Sequence, residues 1–155
     1  MVDIYLITFL LFVAAPISIF LHELGHAIAG VIFKAELVYL TIGRGKRVIE
    51  YSSGKLHFII HAGYFMGGYA NSERVTPFNR FERFIISILG PIVNIVVFLS
   101  VWGLQSHFRS DYLQLFALFN LWLVIINLVP FKLKNQKSDG YNILETIVHK
   151  DKMNS

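Results

Sequence analysis

Five consecutive residues, His22-Glu23-Leu24-Gly25-His26, carry the chemistry most readily read from this chain. They form an H-E-x-x-H pattern. On a helix, positions i and i+4 share one face, so His22 and His26 can hold one metal ion between them. Glu23 is offset around the helix and can reach a water at that metal, the position a general base needs. The pattern lies in an apolar run: residues 4–20 are almost wholly apolar, and residues 27–33 continue that character. Two imidazoles and a carboxylate at membrane depth are costly unless paired or bound to metal, which marks them as functional candidates. The bland reading of the same five residues is a chance match, or a helix end where polar groups meet lipid headgroups.

A catalytic zinc takes three protein ligands and leaves one position open. The chain has no cysteine, so a disulfide framework, a thiolate zinc site and a cysteine nucleophile are excluded, and any metal is held by His, Asp or Glu. Asp139 is the first choice for the third ligand, for its oxygen donor and for the side of the membrane on which it falls. Aspartate also caps helices well, and Asp139 stands just before a helical pattern over residues 141–150. Glu145 is the second choice, and His61 or His57 a more distant one. The last two share one face of an expected strand, where they read as ordinary half-exposed polar residues.

The elements that must position these groups follow from composition. Charged residues make up 15% of the chain, against about 25% in soluble domains, and the mean hydropathy is +0.57. An α-helical polytopic membrane protein is expected, a single unit over residues 1–155. The N-terminus lacks the basic start and cleavage site of a secretory signal, so the first apolar segment is expected to be retained. Spans are expected at about residues 4–33, 84–104 and 112–130, the second with about the twenty residues a bilayer crossing needs. Pro16 should kink the first by removing a backbone donor.

Between the first two spans, residues 36–70 read as a small membrane-associated β-sheet of three strands, about 37–42, 47–51 and 56–61, followed by the glycine-rich apolar segment 63–69. Residues 131–155 form a tail. Of the fourteen Lys and Arg, eight lie between the first two spans, five in the tail, and Arg109 alone in the short connection between the second and third. That asymmetry speaks for a cell-membrane protein with the β-segment and tail cytoplasmic and the N-terminus outside, and against a nucleic-acid partner for the net charge of +4. The H-E-x-x-H pattern and Asp139 then fall on the same, cytoplasmic side.

Three motifs in order give a resemblance. HELGH in the first span, Gly90-Pro91-Ile92-Val93-Asn94 in the next, and Asn127-Leu128-Val129-Pro130 followed by Asp139-Gly140 resemble the site-2 protease family of intramembrane zinc metalloproteases. Gly67-Gly68-Tyr69 is similar to that family's membrane-associated β-loop. The resemblance covers nearly the whole chain and implies a three-helix catalytic core. It implies zinc held by His22, His26 and Asp139, Glu23 as the catalytic glutamate, and Asn94 near the active site as a substrate or oxyanion contact. In the family's pattern the D-G pair follows the proline closely, whereas here residues 131–138 intervene.

The expected activity is hydrolysis of a peptide bond in or near a transmembrane segment of a membrane protein or peptide, with the lipid bilayer as surroundings. The alternative is a non-proteolytic membrane scaffold that keeps the fold and the metal; the long Pro130–Asp139 spacing is the one feature favouring it. The bland reading of Asn94, Asn120 and Asn127 is interhelical hydrogen-bond glue, and Asn120 is assigned that role.

Overall fold

A computed structural model describes residues 3–105, 107–133 and 136–148. Three of the basic residues used to orient the chain, Lys134, Lys150 and Lys152, lie outside the described residues, as does the end of the tail. The first apolar run is one continuous helical rod, Ile4–Ile32, made of α1 (Ile4–Phe9), a wider π-helical turn (Leu10–Ala14) and α2 (Ala15–Ile32). The wide turn sits directly before Pro16, whose missing N–H and bulky ring disfavour a regular turn there. The kink expected at Pro16 thus takes the form of a widened turn. The Phe12 carbonyl, which Pro16 cannot satisfy, lies 3.5 Å from the Tyr64 hydroxyl that donates to it.

Two further helices are long and apolar enough to cross a membrane: α3 (Arg80–Leu104) and α4 (Asp111–Leu128). A capping box opens α3: the Glu82 N–H donates to the Asn79 side chain at 2.9 Å, and the Glu82 carboxylate accepts from the Asn79 N–H at 2.7 Å. A shorter helix, α5 (Asp139–Val148), follows α4. Large apolar side chains point outward, with Val96, Leu99 and Ile125 more than half exposed. The buried positions between helices are small or polar, among them Ala14, Ser18, Gly25, Gly90, Asn94, Ala117 and Asn120. Small and hydrogen-bonding interfaces with apolar outsides are how helices pack in an apolar solvent.

The β-segment differs from the three strands expected. Two long strands, β1 (Leu37–Ser53) and β2 (Leu56–Glu73), form one hairpin that folds back on itself. Residues 38–42 lie between two neighbours. On one side run residues 68–72 in the opposite sense, with Val38 opposite Ser72 and Ile42 opposite Gly68. On the other, residues 56–60 run alongside, with Val38 opposite Leu56 and Ile42 opposite Ile60. The glycine-rich segment expected to follow the sheet is therefore part of β2. Alternation on β1 explains the docking: Val38, Leu40 and Ile42 are buried while their neighbours are not. Val38 packs with Ala27 and Ala35, and Phe78 closes that cluster.

Candidate metal centre

The centre forms where α2, α3 and the start of α5 meet. His22 and His26 stand one turn apart on α2, and their Nε2 atoms are 3.2 Å from each other. Asp139 lies across from them, with Oδ2 at 3.0 Å from His22 Nε2 and Oδ1 at 3.3 Å from His26 Nε2. Among the described residues these three form a group able to hold a metal ion, their donor atoms all within 4.8 Å of one another. His22 is buried, and the other two side chains are nearly so.

Each imidazole is held from behind. His26 Nδ1 lies 2.7 Å from the Ile86 carbonyl, which can only accept, so Nδ1 carries the hydrogen and donates. His22 Nδ1 lies 2.5 Å from Asn94 Oδ1, again an acceptor. In the neutral imidazoles both Nε2 lone pairs then converge on the same point as a carboxylate. Three acceptors facing one another with no donor between them repel, and a cation at their centre removes the conflict. Two imidazole nitrogens and a carboxylate oxygen form a donor set that suits zinc. The residues fit the metal.

Glycine lets the helices come this close. A Cβ on Gly90 would collide with the His26 ring and press against His22 Nε2, so a bare backbone fits best where α3 passes the site. At Gly140 a Cβ would run into the Leu128 carbonyl, so the second residue of the D-G pair allows α5 to start against the end of α4.

Between Pro130 and Asp139 the chain borders the site, with Phe131, Leu133, Gln136, Lys137 and Ser138 along its cavity. Two short strands, β3 (Lys132–Leu133) and β4 (Gln136–Lys137), make a small hairpin, a feature sequence reasoning did not anticipate. Its base is clasped. The Ser138 N–H donates to the Phe131 carbonyl at 3.0 Å, the Phe131 N–H donates to Ser138 Oγ at 3.0 Å, and that hydroxyl donates to the Val129 carbonyl at 2.7 Å. Ser138 Oγ also accepts from the Tyr141 N–H at 3.1 Å. Ser138 therefore caps α5, a task the sequence had left open to Asp139, whose carboxylate faces the histidines instead.

The other candidates go elsewhere. Glu145 pairs with Lys137 at 2.6 Å. His57 lies 2.9 Å from Ser52 Oγ and stacks on Tyr39. Neither these nor His61 joins the group of three. Asn94 is fully buried behind His22, and both its N–H bonds are engaged: Nδ2 donates to Asn120 Oδ1 at 2.7 Å and to the Ser18 carbonyl at 3.2 Å. Both N–H bonds are thus directed into the protein, toward α4 and α2. Asn127 donates to the Leu123 carbonyl of its own helix at 2.9 Å.

A cavity of about 500 Å³ opens onto the group, lined by His22, Glu23, His26 and Asp139 and, on its polar side, Tyr69 and Asn142. The β2 backbone at Gly68 closes over Glu23. A second opening of about 410 Å³ shares His22, Glu23, Gly68 and Asn127, and its remaining walls are mainly apolar groups such as Phe65, Phe119 and Trp122. The centre is thus reached from a polar side and from an apolar side.

No curated protein matches the chain. The family model described as peptidase family M50 matches residues 9–110, which is 102 of 155 residues. The match takes in His22, Glu23, His26 and Asn94 and ends before Asp139, whose placement rests on geometry. With two thirds of its length following one family's pattern, the chain belongs to peptidase family M50, the site-2 protease family of intramembrane metalloproteases.

Proposed function

We propose that this protein is a zinc endopeptidase that cuts a peptide bond in or near a transmembrane segment of a membrane protein or peptide, with Glu23 as general base. The observation that carries this reading is that Glu23 lines the same cavity onto which the Nε2 atoms of His22 and His26 and the carboxylate of Asp139 converge. A zinc ion held by those three residues would bring a water to reactive acidity and polarise the scissile carbonyl. Glu23 takes a proton from water as its oxygen attacks the carbonyl carbon, then returns that proton to the departing amine nitrogen as the C–N bond breaks. Residues 68–70 line the site, and residues 68–72, among the described residues, pair only on their β1 side. An extended substrate segment can add to that edge, its backbone hydrogen bonds replacing those lost when the substrate helix unwinds. Asn94 supports His22 in this scheme and does not touch substrate.

The cytoplasmic side of the membrane is assigned to the centre by the distribution of Lys and Arg. The scaffold alternative rested on the long Pro130–Asp139 spacing, and the clasped hairpin takes up that length. Glu23→Gln tests the mechanism. Cleavage of a single-span membrane substrate in vesicles should fall by a factor of about 10² to 10⁴ or more, with zinc content unchanged. A variant that keeps full cleavage would rule out Glu23 as the base.

A further inference from the structure

Behind His22 a chain of buried amides runs through all three spans, and it has a direction. The Asn120 side chain is fully buried on α4. Its Nδ2 donates to the Phe116 carbonyl at 2.8 Å and to Ser18 Oγ at 2.9 Å. A backbone carbonyl can only accept, so the amide nitrogen of Asn120 must face Phe116 and its oxygen must face Asn94. The Asn94 amide then turns its nitrogen toward Asn120 Oδ1 and toward a second carbonyl, that of Ser18. Flipping Asn94 would set its oxygen against two acceptors. Its oxygen is therefore committed to His22, and only an Nδ1–H can meet it at 2.5 Å.

We infer that Asn120 is a positioning residue for the metal centre: together with the Phe116 and Ser18 carbonyls it fixes the orientation of Asn94, and through it the His22 tautomer whose Nε2 lone pair faces His26 and Asp139. Polarity set by two backbone carbonyls passes along two amides and ends as a choice of ring nitrogen. A histidine locked in the ligating tautomer pays nothing to reach it when metal binds. Removing Asn120 leaves the Ser18 carbonyl, at 3.2 Å, as the one acceptor on the Asn94 amide nitrogen, so Asn94 turns more readily and His22 then populates both tautomers. This deepens the zinc reading above and rests on it for its metal readout alone.

The test uses the full chain in detergent micelles with ¹⁵N-labelled histidine. In the metal-free wild-type protein at mildly alkaline pH, the His22 ring, identified by its loss in His22→Gln, should carry its hydrogen on Nδ1. Asn120→Leu should give a mixture of tautomers and weaken zinc, titrated against a competing chelator, by about 10- to 100-fold, the range for loss of a group supporting a ligand. Wild-type His22 protonated on Nε2 would overturn the inference, as would a folded Asn120→Leu with wild-type tautomer and zinc affinity. If Asn120→Leu does not fold, the wild-type tautomer decides in either direction. If the wild-type chain takes up no zinc, the protease reading falls, while the tautomer still judges the role of Asn120.

Discussion

The two sides of the metal group are built in opposite ways. His22 and His26 sit on a membrane-length helix, spaced by the helical repeat itself and backed by Asn94 and the Ile86 carbonyl. Asp139 arrives from outside the spans, at the start of a ten-residue helix, after a detour through an exposed hairpin. One side is held by local geometry and buried hydrogen bonds. The other is held by a serine clasp and by the lack of a side chain at Gly140. A centre can thus be rigid where the chain is continuous and still accept its last ligand from a segment that varies in length, provided the ends of that segment are tied together.

Breaking either side outright should have the largest effect. His26→Ala and Asp139→Ala should each lose the roughly one zinc per chain expected of the wild type, read by metal analysis of the purified protein. Stoichiometric zinc in Asp139→Ala would remove the aspartate from the ligand set. Next comes Gly140→Val, which drives a branched side chain toward the Leu128 carbonyl and displaces α5 while leaving the His22 side untouched. Zinc affinity should fall by about 10- to 100-fold with helix content preserved by circular dichroism.

A smaller effect sharpens the comparison. Ser138 N–H already bonds the Phe131 carbonyl, the pairing of a tight turn, so replacing residues 132–137 by Asn-Gly should keep the clasp. Zinc affinity should then stay within about two- to three-fold of the wild type, since shortening a closed loop changes its closure cost only slightly. A large loss would show that the hairpin tip does more than span a distance. The smallest effect belongs to Glu145→Ala, which breaks a half-exposed ion pair with Lys137. Stability should change by no more than about 1 kcal/mol, with zinc retained in full.

The same division governs what could be read from the sequence. HELGH was legible because the spacing that pairs its histidines is local, and the three spans because their length and apolarity are. The ordered motifs pointed to Asp139, but nothing in residues 131–138 announced that they would close on themselves. The clasp depends on one hydroxyl, that of Ser138, meeting groups nine residues back. The hairpin was harder still. Its strands are long and bent, and a pairing in which residues 38–42 serve two partners cannot be read from alternation along one strand. For Asn94 and Asn120, an amide in an apolar span signals a buried hydrogen bond but not its partner, so the path from Asn120 to His22 appears only in three dimensions.

The wide turn before Pro16 has a consequence for phase. Phe9 meets Tyr112 edge-on at 5.1 Å, and Ser18 Oγ meets Asn120 at 2.9 Å, so both residues look toward α4. They are nine positions apart, and at about 100° per residue a regular helix would set them on opposite sides of the rod. The five residues Leu10–Ala14, wound more loosely, take up about one residue's worth of rotation and bring the two azimuths within about a quarter turn. The turn works as a phase shifter. It allows one helix to face α4 at two levels with a sequence that, counted in ordinary turns, would face it at only one.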